Sequence, residues 1–183
     1  MPRPSVRDLI IAMGVVLVPI LVVTWLFTNN LEDYPVESVD PAPVVAEARA
    51  EAPYPVLVPQ NLPIGEGGWT ITRAQWVAQG EPVRAGEGVS ASNEWLWGAL
   101  DPTGTYYAVN QSDGDWRRLV DDVSRGGVRD GTSTVGGQEW QRWISPDGRT
   151  RVLLREGGGY SVTVTADATY EGLEALASTL STD

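Results

Sequence analysis

Glu94-Trp95-Leu96-Trp97-Gly98-Ala99-Leu100, Asp101-Pro102-Thr103-Gly104 and Thr105-Tyr106-Tyr107-Ala108-Val109-Asn110-Gln111 follow one another directly. Together they read as a β-hairpin: two aromatic-rich runs flank a turn with Pro and Gly where a type I turn favours them. A helix comes next. Trp116, Leu119, Val120 and Val123 recur at i, i+3, i+4 and i+7, which is one face of a helix. Ser112 or Asp113 can cap its start, Asp115 suits the positive end of its dipole, and Arg125 with Gly126-Gly127 supplies its stop. Ahead of the hairpin, residues 69–77 read as a strand, followed by a Gly/Pro-rich loop over 80–88.

The pattern then recurs. Residues 138–144, 150–155 and 160–165 read as three strands joined by Ser145-Pro146-Asp147-Gly148 and Glu156-Gly157-Gly158-Gly159. Val162 and Val164 alternate with Thr163 and Thr165, as a sheet with one wet face requires. A last helix carries Tyr170, Leu173, Leu176, Ala177 and Leu180 on one side, with Thr169 as its cap. The expectation is an α+β domain of order βββα-βββα, a six-stranded, mostly antiparallel sheet with two packed helices. Glu94-Trp95 and Glu139-Trp140 open comparable hairpins.

Upstream, Leu9 to Phe27 contains no charged residue. As a helix this run is about 28 Å long, close to the hydrocarbon thickness of a bilayer. It exceeds the h-region of a cleaved signal peptide, and no small-x-small site follows, so the reading is an uncleaved signal-anchor. Arg3 and Arg7 precede the run and Glu32, Asp33 and Glu37 follow it, which predicts a cytoplasmic N-terminus. The expected organisation is residues 1–8 cytoplasmic, 9–27 transmembrane, 28–53 an extracytoplasmic stalk and 54–183 the folded domain. Pro35, Pro41, Pro43 and Pro53 punctuate the stalk and leave room for one short helix over 44–51. Pro53 to Pro59 is expected to lie extended along the domain edge.

Composition narrows function. The chain has 183 residues, a formal net charge of −11, and neither His nor Cys; its 13 basic residues are all Arg. Disulfides, thiol nucleophiles, Ser-His-Asp catalysis and Cys- or His-bound metal sites are thereby excluded. So negative a chain is a poor partner for nucleic acid. Only carboxylates remain for acid–base work. Glu94 and Glu139 stand at strand starts beside Trp, and Asp121-Asp122 lie on the helix. As solvated element ends they need no catalytic role; as a glycosidase pair they would have to converge. Asp113-Gly114-Asp115 falls short of a calcium loop, so no metal or cofactor is expected.

Seven of the eight Trp lie outside the apolar run. Trp95 and Trp97 share a strand face, whereas Trp140 and Trp143 cannot. In a chain whose only Phe is Phe27, such rings either build the core or offer a platform to a sugar or a partner protein. Trp95, Trp97, Glu94, Glu139 and Trp140 form the candidate ligand surface.

Arg3-Pro4-Ser5-Val6-Arg7-Asp8, Val39-Asp40, Pro53-Tyr54-Pro55-Val56, Pro59, Leu62-Pro63, Gly68-Trp69 before Thr72, Trp97-Gly98, Gln111-Ser112 and Gly137 before Trp140 occur in order along nearly the whole chain. In these motifs the chain resembles a family of single-pass actinobacterial membrane proteins grouped as a domain of unknown function. The resemblance implies an envelope location and an anchored extracytoplasmic domain, and it brings no activity, cofactor or catalytic residue. The functional expectation is a non-catalytic binding or interaction module of the cell envelope, single-pass in the membrane, with a protein or glycan partner. The alternative is a carboxylate-dependent hydrolase or glycan-binding protein acting on cell-wall glycan.

Overall fold

The structure is a computed structural model and describes residues 6–29, 37–83 and 88–183. The chain divides into two units, Met1–Val36 and Glu37–Asp183. The first holds helix α1 (Val6–Asn29), which continues through Pro19. Its side chains are described for residues 13–25, a stretch of about 20 Å at the helical rise, where Val15, Val16, Val18 and Leu21 are exposed. Among the described residues no helix is long and apolar enough to cross a membrane. Arg3, Glu32 and Asp33, whose charges set the expected orientation, lie outside the described residues, as do 84–87 of the Gly/Pro-rich loop.

The second unit begins with α2 (Ala42–Glu51), earlier than the sequence reading allows. A stalk running to residue 53 is therefore corrected here: α2 packs against the sheet through Ala48, which is fully buried. Its last residue, Glu51, accepts a hydrogen bond from Trp76 Nε1 at 2.9 Å. Strand β1 (Val58–Pro59) ends the proline-rich segment. Tyr54, Val56 and Leu57 are buried in the main core while Pro53 and Pro55 stay exposed, so this extended segment packs one side into the interior and leaves the other in solvent.

The remaining elements are β2 (Thr70–Val77), β3 (Glu94–Leu100), β4 (Tyr106–Ser112), α3 (Trp116–Ser124), β5 (Val128–Val135), β6 (Gln138–Ile144), β7 (Arg151–Gly157), β8 (Tyr160–Ala166), α4 (Tyr170–Ser178) and β9 (Leu180–Ser181). The sheet is seven-stranded, in order β2-β3-β4-β8-β7-β6-β5, with every pair antiparallel. Two meanders meet at the central β4–β8 pair. The expected βββα-βββα is thus βββα-ββββα, and the added strand is β5. Its sequence carries no clean alternation; only Ser133 and Val135 are buried, and a bulge interrupts its pairing between Arg129 and Thr132. Gly136 and Gly137, at φ 58° and 77°, close the β5–β6 hairpin in the left-handed region that a two-residue primed turn requires.

Leu180 also departs from expectation. It lies beyond the last helix, in β9, which pairs with β1 through Val58↔Ser181. Asp115 caps α3, its side chain accepting from Arg117 N–H, while Asp113 accepts from both the backbone and the side-chain amide of Asn93. Thr169 caps α4 and Arg125, at φ 58°, ends α3, both as expected.

The alternation of β7 separates two cores. Leu153 joins the larger one with Trp76, Trp95, Trp97, Trp140, Val162, Val164, Leu173 and Leu176, on the face covered by α2 and α4. Val152 and Leu154 join the smaller one on the opposite face, beneath Val120 of α3 and beside Trp116 and Trp143. Helix α3 rests on β6, β7 and β8. Among the described residues of this unit, no helix lies over the β2–β4 half of that second face.

Candidate functional site

A cleft of about 510 Å³ occupies this open half, within the range of small-molecule sites. Its floor is set by cross-strand register: Gln75 pairs with Leu96 and Leu96 with Asn110. These three side chains therefore form one row across β2, β3 and β4. In the row on one side Val77 pairs with Glu94 and Glu94 with Ser112; on the other side Arg73 pairs with Gly98. One wall is α3, through Arg118, Leu119 and Asp122, and the other is the segment around Ser90 and Ser92.

Gly98 is dictated by its neighbour. A Cβ there would stand 2.1 Å from Tyr106 Oη and 3.0 Å or less from two ring carbons, so the tyrosine ring lies directly on the glycine. Burial raises the Tyr106 hydroxyl above its ordinary pKa, while the nearby Arg73 guanidinium pulls the other way.

The polar groups of the cleft differ in how they are engaged. Glu94 accepts from the Ser92 hydroxyl at 3.1 Å; the Ser90 hydroxyl, 3.4 Å from Glu94, donates at 2.6 Å to the Ser92 carbonyl. Asp115 is occupied as the cap of α3, and Asp122 faces Arg118 Nε at 3.9 Å. Arg73 donates from Nη2 to Gln75 Oε1 at 2.7 Å. Because guanidinium only donates, this bond fixes the Gln75 oxygen toward Arg73 and leaves its amino group free to donate elsewhere.

The sequence-predicted residues part company here. Glu94 lines the cleft. Trp95, Trp97 and Trp140 are 1%, 1% and 2% exposed, so they belong to the core and present no ring face to a ligand. Trp95 Nε1 donates to the Leu57 carbonyl at 3.0 Å, Trp97 packs on Trp69 with ring centres 6.5 Å apart, and Arg155 covers Trp140 at 5.0 Å. Glu139 is exposed on β6, four strands from Glu94 in the sheet order. At about 4.8 Å per strand the separation is about 19 Å, beyond the reach of a paired-carboxylate site.

Sequence reasoning passed over Arg73, Gln75, Leu96 and Asn110: alternation puts Arg73 and Gln75 on one face of β2, but only the cross-strand register brings Leu96 and Asn110 alongside them. It also passed over Trp116 and Trp143, whose half-buried rings meet edge to face at 6.3 Å and line a smaller cleft of about 290 Å³. Arg117 stacks over Trp116 at 4.5 Å. Among the described residues no group of three or more acidic side chains is placed to hold a metal ion.

No curated protein and no solved structure matches the chain. One family model does, that of the protein of unknown function DUF4245, over residues 3–180. With almost its full length matched, the chain belongs to the DUF4245 family.

Proposed function

We propose that this protein is a single-pass, membrane-anchored binding module that presents the β2–β4 cleft outside the cytoplasm. The observation that carries the binding reading is the open half of the second sheet face. Elsewhere α2, α4 and α3 cover the sheet, whereas over β2–β4 a cleft of about 510 Å³ displays polar side chains around Leu96. The anchor reading rests on the uncharged run Leu9–Phe27 and on the unbroken helix that contains it. Arg3 and Arg7 before that run, with acidic residues after it, support a cytoplasmic N-terminus.

Binding without chemistry is the function that fits these side chains. The cleft carboxylates are each engaged by a serine, a helix start or an arginine, and no second carboxylate faces Glu94 from Glu139. The test is thermal unfolding of the full chain in detergent against envelope glycan fragments, beside a Leu96→Arg variant that fills the cleft floor. A saturating ligand at a hundred times its Kd stabilises by about 2.7 kcal/mol. The expected result is a shift of several degrees that Leu96→Arg abolishes; a shift that persists unchanged in Leu96→Arg moves the site elsewhere.

A further inference from the structure

The donors of the cleft identify the chemistry of what it holds. We infer that the cleft takes a carboxylate-bearing saccharide, with Arg73 gripping the carboxylate and Gln75 and Asn110 donating to further oxygens across Leu96. This rests on the binding reading above and names its ligand class.

One unbridged guanidinium at the cleft argues for the carboxylate. The chain is strongly acidic, yet among the described residues Arg73 forms no salt bridge with an acidic side chain, like Arg125, Arg129, Arg151 and Arg155 and unlike Arg117, Arg118, Arg142 and Arg149; of the unbridged ones named, Arg73 is the one that lines the cleft. Its one side-chain partner is the neutral Gln75 oxygen. The exposed Arg73 guanidinium keeps most of its donors available at the cleft, and a carboxylate matches that fork in two parallel bonds. Asn110 is half-buried on the floor, and among the described residues its side chain has no hydrogen-bond partner either. Its amide remains accessible in the cleft and can donate to a ligand oxygen. The negative groups of the walls have partners of their own: Glu94 the Ser92 hydroxyl, Asp115 the start of α3 and Asp122 the exposed Arg118.

Sheet geometry argues for a saccharide over a peptide. The floor is the face of a hydrogen-bonded ladder, so the backbone N–H and C=O groups of β3 and β4 are spent in the sheet. An extended peptide gains its affinity from such groups at a sheet edge; that edge is the outer side of β2, whereas on the sheet face the partners on offer are side-chain donors. Gln75 and Asn110 stand two strands apart, about 10 Å, with the apolar Leu96 between them. A short sugar chain meets that pattern with ring oxygens and hydroxyls at both ends and an apolar ring face in the middle.

The experiment titrates the full chain, in polyoxyethylene-detergent micelles, with trigalacturonate, with neutral galactotriose and with inorganic phosphate. Saturable binding of trigalacturonate is expected, weakened about tenfold or more in Arg73→Ala and to a lesser degree in Arg73→Lys, which keeps charge but loses the fork. Arg129→Ala, an exposed arginine on β5 remote from the cleft, removes the same charge and is expected to leave binding unchanged. Equal losses in Arg73→Ala and Arg129→Ala would overturn the inference in favour of diffuse electrostatics. Phosphate competing as well as trigalacturonate would reassign the site to a free oxyanion. Preference for galactotriose, abolished by Leu96→Arg but indifferent to Arg73→Ala, would overturn the carboxylate while leaving the cleft as the binding site. Failure of all three ligands to bind would overturn the ligand class.

Discussion

Gln111 holds Leu57 as a neighbouring strand would. Its Oε1 accepts from the Leu57 backbone N–H at 2.6 Å, and its Nε2 donates to the Pro55 carbonyl at 3.1 Å. The Leu57 carbonyl in turn accepts from Trp95 Nε1. Pro53, Pro55 and Pro59 leave this segment short of donors, so it cannot join the sheet by an ordinary ladder. Buried side chains on β3 and β4 satisfy its backbone instead, and Tyr54, Val56 and Leu57 can then enter the core.

Replacing Gln111 by Ala should therefore cost about 2–4 kcal/mol, since a buried N–H and a buried carbonyl lose their partners together with packing volume. Urea unfolding followed by Trp fluorescence measures it. A loss under about 0.5 kcal/mol would mean that the segment is held by its apolar side chains alone.

Gly98→Ala should destabilise by about 1–3 kcal/mol, because the added methyl enters the space of the Tyr106 ring. In a Tyr106→Ser background the same substitution should be nearly neutral. A double-mutant cycle on unfolding free energies checks this: independent effects at the two positions would remove Tyr106 as the reason for the glycine.

Glu174 accepts from the Ser133 hydroxyl and from Arg142 Nη2, each at 2.6 Å. These bonds, the serine's first and the arginine's second, hold its carboxyl below the ordinary carboxylate range. They favour the charged form in the folded state, so their stabilisation is complete above the unfolded value near ~4.3 and fades as pH falls through the folded one. At pH 6 the chain should be more stable than Glu174→Gln by about 1 kcal/mol, and the gap should close between pH 5 and 3. Melting curves across that range test it; a gap independent of pH would assign the effect to packing of α4 on β5.

Protease added outside intact cells should remove the Glu37–Asp183 unit and leave a membrane-embedded stub. Protection of that unit until the membrane is permeabilised would reverse the orientation deduced from Arg3 and Arg7.

Legibility in the sequence followed local physics. The β3–β4 hairpin, α3 with its Arg125 stop and the Thr169 cap of α4 were readable because turn residues, helical spacing and caps act within a few positions. Strand β5 was not, since its place comes from pairing with β6 and its side chains are mostly exposed. The fate of Trp95, Trp97 and Trp140 was equally hidden: alternation sets which residues share a face, but which face is covered depends on α2, α4 and the residue 54–58 segment, all distant in sequence. For the same reason Glu94 could be placed at a strand start, while its separation from Glu139 waited on the sheet order. Arg73, Gln75 and Asn110 become a set only once β2, β3 and β4 are known to be adjacent and bare of helix on that side.

Amide hydrogen exchange of the full chain in detergent, with and without trigalacturonate, tests the binding account most directly. Protection rising at β2, β3, β4 and the start of α3, and absent from Arg73→Ala, is the predicted result. Protection confined to the Trp116–Trp143 cleft, or no change anywhere at saturating concentration, would contradict it.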